Sequence, residues 1–158
     1  MGAAAYRRGE RMQSVAHAAY QRGDKIVQMG DIVVHDYRAK GGVVYSEIML
    51  PKGAPPEFMN RETLWNAVER AEKRKDAQLA REIIDALQRD FSLPENIWVL
   101  RDYIEENFAD RGMIADFSIH DKKDGNPHAH IMLTTRDVSP EGFGKKNIEW
   151  NKKDLFLR

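Results

Sequence analysis

The sequence predicts a mixed α+β domain, on three observations. Residues 24–37 and 113–135 both read as antiparallel hairpins, with short alternating or β-branched runs flanking turn-forming residues. A stretch opening at Ser92 carries the start signals of an amphipathic helix. At 158 residues the chain is long enough to bury one core, and residues 1–158 are expected to form a single domain.

The first 25 residues hold a near-repeat: Ala5-Tyr6-Arg7-Arg8-Gly9-Glu10-Arg11 is echoed by Ala19-Tyr20-Gln21-Arg22-Gly23-Asp24-Lys25. Alanine-rich helix signals surround both copies; Val15, Ala16, Ala19 and Tyr20 can share a face, and Gly23 is a natural stop. Each tyrosine, taken alone, is an anchor whose ring packs on the core. Lys25 to Gln28, a turn at Met29-Gly30 and Asp31 to Tyr37 then form the first hairpin, with Ile32-Val33-Val34 as its β-branched run. Gly41-Gly42 breaks the pattern, and Val43 to Leu50 is the next strand, stopped by Pro51.

Asn60 is placed to cap a helix from Arg61 to about Lys75, with Leu64, Trp65 and Val68 on its buried side. Asp76 to Phe91 is ambiguous. The spacing of Leu79, Ile83, Ala86 and Leu87 favours a helix, and a strand through Ala80 to Leu87 competes with it. The next helix is clear: Ser92 and Glu95 make a capping box, Pro94 fits the first turn, and Ile97, Leu100, Ile104 and Phe108 share a face, with Gly112 as the stop.

Three of the five histidines fall in the second hairpin. In Met113 to His120 the apolar parity is Met113, Ala115, Phe117 and Ile119, and Asp116, Ser118 and His120 take the other. After the turn signals Asp124-Gly125-Asn126-Pro127, Ala129, Ile131 and Leu133 alternate with His128, His130 and Met132. Pairing across the loop sets His120 beside His128 and His130 on one sheet face. A single histidine there would be an ordinary polar surface residue. Three at matched parity point to a facial metal site with positions open for water or a substrate oxygen. Ligand softness favours zinc, manganese, nickel or cobalt over magnesium, although a substrate can supply hard oxygen ligands. Beyond Thr135 a polar, glycine-containing stretch leads to a short end, Trp150 to Arg158.

Lys and Arg total 25, as do Asp and Glu, so global charge gives no argument for nucleic-acid binding. Any such binding must come from local clusters: Arg38 and Lys40, Arg70 to Lys75, and Lys145, Lys146, Lys152, Lys153 and Arg158. The absence of cysteine excludes disulfides and thiolate metal sites. With no apolar run of membrane-spanning length and no secretory signal, a cytoplasmic protein is expected.

Several stretches together resemble the relaxase domain of the MobA/MobL group, including TraA-like conjugative relaxases and the staphylococcal nicking enzyme, within the HUH endonucleases. They are SVAHAAYQRGDKI, HDYRAKGGVVYSEIMLP, LWNAVERAEKRKDAQLAREI, GMIADFSIH, NPHAHIMLTTR and EGFGKK, spanning roughly Ser14 to Trp150. The resemblance implies a central antiparallel sheet, a palm like that of RNA-recognition domains, with helices packed mainly on one face. It makes Ala80 to Leu87 a strand whose Glu82 points toward the histidines. It assigns His120, His128 and His130 as ligands of a divalent ion, Mg²⁺ or Mn²⁺, that orients the scissile phosphate. A tyrosine in the N-terminal helix attacks, leaving a 5′-phosphotyrosine and a free 3′-hydroxyl. Tyr20 is the better candidate for that nucleophile, because its distance to His35-Asp36-Tyr37 matches the related sequences, and Tyr6 is the competitor.

The implied function is site- and strand-specific nicking and strand transfer on plasmid DNA for conjugation or mobilisation. Its implied partners are single-stranded DNA at an origin of transfer, accessory relaxosome proteins and a type IV secretion coupling protein. The competing readings are an inactive single-strand-binding remnant and a rolling-circle replication initiator. Three departures from the family pattern shape the expectations. Only MGAAAYRRGERMQ precedes Ser14, so the first strand is expected to be missing. The chain stops soon after Trp150, before the family's basic helix, which suggests truncation at both ends. Gln88 stands where relatives often have proline.

Overall fold

The computed structural model of the protein describes residues 3–7, 25–28, 33–36 and 41–152. In chain order its elements are β1 (Ala3–Arg7), β2 (Lys25–Gln28), β3 (Val33–Asp36), β4 (Val43–Met49), α1 (Arg61–Ala71) and β5 (Gln78–Ala86). There follow α2 (Leu93–Asn107), β6 (Ala115–His120), β7 (His128–Leu133), β8 (Arg136–Ser139) and β9 (Gly142–Lys146). Five strands make an antiparallel sheet in the order β1-β5-β7-β6-β4, while β2–β3 and β8–β9 form separate two-stranded ladders.

Both helix starts follow from the sequence. The Asn60 side chain accepts from the Thr63 amide, and Ser92 and Glu95 close a reciprocal capping box at the head of α2. α1 ends at Ala71, short of the expected Lys75, because Glu72 adopts an extended conformation and turns its carboxylate onto Arg136 and Lys146. α2 gives way to a short 3₁₀ turn at Ala109–Arg111, and Gly112 completes the stop at φ 96°, in the left-handed region.

Apolar parity divides the core into two layers. Ala115, Phe117, Ile119, Ala129, Ile131, Leu133 and Ile83 pack with Leu100 and Ile104 of α2. On the opposite face Met132, Ile48 and Ala80 pack with Leu64, Trp65 and Val68 of α1. The α+β architecture of an antiparallel sheet with helices packed on it is therefore as expected. Its described helices divide between the two faces, with α1 on the same face as the histidines.

Two local expectations are corrected. Gln78–Ala86 is a strand rather than the helix its spacing favours. It lies between β1 and β7, and Leu79 through Ile83 are all buried, so the alternation that would have marked a strand is hidden by cover on both faces. The first strand is also present: Ala3–Arg7 pairs with β5, aligning Ala4 with Glu82 and Tyr6 with Ala80. Its alanines favour helix locally, but pairing with an otherwise open strand edge outweighs that preference. The hairpin β8–β9, within the stretch read only as polar and glycine-containing, was not expected. The helix expected around Tyr20 and the turn at Met29-Gly30 lie outside the described residues.

Glu72 ties the hairpin β8–β9 to the end of α1. Arg136 Nε donates to its carboxylate at 2.7 Å, Arg136 Nη2 at 3.3 Å, and Lys146 Nζ lies 3.4 Å away. Burial alone would raise the Glu72 pKa, but the Arg136 hydrogen bond and the charges of Lys146 and Arg136 outweigh it and hold it below the ordinary carboxylate value. A carboxyl with a depressed folded-state pKa stabilises the fold above the ordinary carboxylate range and loses that contribution as pH falls through its folded value. Glu72→Gln should therefore lower stability by about 2 kcal/mol at neutral pH. In urea unfolding, its difference from wild type should shrink as the buffer is taken into the acid carboxylate range.

Candidate metal centre

The register of three strands builds the site. β6 and β7 pair so that His120 is opposite His128 and Ser118 opposite His130; β7 and β5 pair so that His130 is opposite Ile84 and Met132 opposite Glu82. Side chains alternate along each strand, so all these residues point to one face. The imidazole centroids lie 4.4 Å apart for His120 and His130, 5.1 Å for His128 and His130, and 5.4 Å for His120 and His128. One nitrogen from each ring falls within 4.8 Å of the other two.

Hydrogen bonds fix two of the rings. His130 Nδ1 lies 2.8 Å from Glu82 Oε1, and the Glu82 side chain is only 4% exposed. His128 Nδ1 lies 2.9 Å from the Asn126 carbonyl oxygen, which can only accept, so this nitrogen carries the proton. Donation from Nδ1 leaves the Nε2 lone pair of each ring for a metal. His120 is buried among its neighbours, and its Nε2 atom receives no hydrogen bond from the described residues. An all-imidazole donor set with Nδ1 engaged on two rings fits a divalent ion at three Nε2 positions, with further positions open to oxygen.

The far end of this face is closed by a second polar cluster. Asp116 is opposite Met132 and accepts from Arg61 Nε at 2.7 Å, Arg61 Nη2 at 2.6 Å and Trp65 Nε1 at 2.8 Å. These bonds seat the first turn of α1 on the sheet and consume both Asp116 oxygens, so Asp116 serves docking and is not a ligand. Sequence parity set Asp116 on the histidine face but gave no sign of its partners, which come from 51 and 55 positions away.

The structure brings together His120, His128, His130 and Glu82. It does not place Tyr6 in a helix. Tyr6 pairs with Ala80, four positions along β5 from the partner of His130, so its Cα is on the order of 16 Å from that of His130 across two strand spacings. Tyr20, Arg38, Lys40, Lys153 and Arg158 lie outside the described residues. Of the basic clusters, Lys73, Arg74 and Lys146 line, together with Arg136, a cavity of about 570 Å³ beyond the end of α1. Arg74 is itself paired with Asp76.

An antiparallel α+β sheet presenting three convergent histidines on one face is the class that this fold and site define. The MobA/MobL family model matches residues 12–154, and the chain belongs to that family. It is 38% identical over 151 residues to the conjugal transfer protein TraA of Agrobacterium fabrum, an alignment covering 89% of this chain and 14% of that protein. It is 35% identical over 133 residues to the probable mobilization protein MobA of Bifidobacterium longum, covering 84% of this chain and 24% of that one. The chain thus spans about a seventh of the TraA length and a quarter of the MobA length. A solved structure described as "Molecular Basis of Vancomycin Resistance Transfer in Staphylococcus aureus" matches with a TM-score of 0.88 at 32% identity, covering 99% of this chain and 83% of that one. Among the described residues no helix is long and apolar enough to cross a membrane.

Replacing His128 and His130 together with alanine is expected to abolish Mn²⁺ binding in calorimetry while the circular dichroism spectrum stays that of wild type. Glu82→Gln should leave the three ligands in place but weaken Mn²⁺ binding about tenfold or more, through loss of the charged acceptor behind His130. Unchanged affinity in the double variant would contradict this assignment of the site.

Proposed function

We propose that this chain is a relaxase domain: a metal-dependent, site- and strand-specific single-stranded DNA endonuclease and strand transferase that starts conjugative transfer or mobilisation of a plasmid. The observation that carries the reading is the convergence of His120, His128 and His130, with the buried Glu82 carboxylate behind His130. Family membership supports it, as do relatives named for conjugal transfer and mobilization. The facial metal site read from the residues alone and the ligand set implied by the family are the same three histidines.

The chemistry follows from what phosphodiester transfer needs. A divalent ion, Mg²⁺ or Mn²⁺, held at the three Nε2 atoms would supply Lewis-acid neutralisation of charge on the non-bridging phosphate oxygens. Glu82 holds the His130 ring in the orientation and tautomer that ligation requires. The Asn126 carbonyl does the same for His128. The nucleophile in this proposal is Tyr20, whose phenolic oxygen bonds to phosphorus as the bond from phosphorus to the 3′-oxygen breaks. The 3′-oxygen takes up a proton and leaves as a hydroxyl, and the 5′-phosphate stays on the tyrosine. Bond count is conserved, so the reverse attack by a 3′-hydroxyl rejoins the strand. Tyr6 is the weaker candidate, because Ala3–Arg7 is a strand whose register with β5 holds its backbone away from the histidine row.

Single-stranded DNA at an origin of transfer is the proposed substrate, with accessory relaxosome proteins and a secretion coupling protein as partners in the cytoplasm. Because the net charge is zero, phosphate contacts must come from local clusters, and Lys73, Arg74, Arg136 and Lys146 around one cavity form one such group. A suicide oligonucleotide selected from a random single-stranded library tests the reaction. Wild type should form a covalent protein–DNA adduct only with a divalent ion present, and Tyr20→Phe should eliminate the adduct while Mn²⁺ affinity is unchanged. An adduct that survives in Tyr20→Phe and vanishes in Tyr6→Phe would move the nucleophile to Tyr6. Failure of wild type to form one on any substrate would overturn the reading.

A further inference from the structure

The turn between β6 and β7 joins two of the three histidines and carries two lysines, Lys122 and Lys123. It is a braced turn. The Lys123 amide donates to Asp121 Oδ1 at 2.7 Å, the Asn126 amide donates to Asp124 Oδ1 at 3.1 Å, and the Asn126 carbonyl accepts from His128 Nδ1. The Asp121 amide donates to the Gly42 carbonyl at 2.9 Å, which ties the turn to the segment entering β4.

Gly42 has a second part in this arrangement. Its φ is +94°, and a Cβ built there would lie 3.2 Å from Lys122 Cγ, 3.4 Å from Cε and 3.9 Å from Cδ. The stem of Lys122 therefore lies across the glycine backbone, close enough that a Cβ there would crowd it. An exposed lysine ordinarily samples many rotamers and loses that freedom when it binds an anion. Here the stem lies against Gly42, the neighbour of Val43, and Val43 is the residue opposite His120.

We propose that Lys122 is a positioning residue of the relaxase site, holding the DNA phosphate that adjoins the one at the histidines. The inference rests on the proposed function. Lys122 follows His120 by two residues at the start of the turn, and a flexible four-carbon stem is long enough to bring its ammonium to a phosphate next to the one at the histidines. It offers three donors and a full positive charge to an exposed phosphate. The remaining basic cavity, beyond the end of α1, lies toward the other end of the sheet and cannot serve the same phosphate.

The test is the salt dependence of binding to an oligothymidylate single strand by the Mn²⁺-loaded 158-residue chain, alongside Mn²⁺ affinity and the thermal midpoint. Lys122→Ala should weaken DNA binding about fivefold at low salt. It should also reduce the slope of log K against log salt by about 0.7, one single-strand phosphate contact. Mn²⁺ affinity and melting should stay at wild-type values, and Lys122→Arg should restore the slope. Gly42→Ala, which pushes on the Lys122 stem and strains a positive φ, should give the same loss of slope with some loss of stability. If wild type binds and Lys122→Ala keeps its slope, this inference is wrong and the proposed function stands. If wild type shows no salt-dependent binding to a single strand, both fall.

Discussion

The structure depends on one constraint, the register of β6 and β5 against β7. Because side chains alternate with a period of two, a slip of one residue on either side of β7 would turn histidines to the α2 face and core residues to solvent. The register is held on both faces at once. On one, Ala115, Phe117, Ile119, Ala129, Ile131 and Leu133 lock into the layer with Leu100 and Ile104. On the other, Asp116 is gripped by Arg61 and Trp65. The apolar lock supplies most of the energy, since each fully buried large side chain is worth roughly 2 kcal/mol. The polar lock fixes where α1 begins, and so leaves the histidine end of the same face uncovered by that helix.

From that arrangement the site is assembled with little local ingenuity. His120 and His128 meet because they flank a turn, and His130 joins them because it is the next residue on the same parity. Glu82 arrives from β5, two residues from Ile84, the partner of His130, and meets His130 diagonally. A carboxylate buried at this position would be costly without a partner, and the imidazole supplies one. Glu82 thus belongs to the fold's polar accounting and to ring orientation together. The same economy appears at the turn, where the hydrogen bonds that order residues 121–128 also set the tautomer of His128 and lay Lys122 over Gly42.

How much of this was legible in the sequence varied with how local the cause was. The histidine face, the two helix caps and the division of apolar parity were readable because each is decided within a few residues. β5 was not, since Leu79, Ile83, Ala86 and Leu87 happen to fall at helical spacing and the strand is buried on both faces. The role of Glu82 came only with the family resemblance, because it follows from pairing with a strand 48 positions away. β1 was hidden for a similar reason, its alanines saying helix while the open edge of β5 decides otherwise. The clamp on Asp116 and the bed that Gly42 makes for Lys122 left no sequence signal beyond residue type, as both are contacts between distant segments.

The central claim is that two strands bring three Nε2 atoms to one divalent ion, with Glu82 of a third strand behind His130. Anomalous diffraction from crystals of the 158-residue chain soaked in Mn²⁺ measures this directly. The account predicts a single strong manganese peak within coordination distance of Nε2 of His120, His128 and His130, with His130 Nδ1 still bonded to Glu82. A peak elsewhere, an ion bound by Glu82 itself, or a His130 ring turned to ligate through Nδ1 would contradict it.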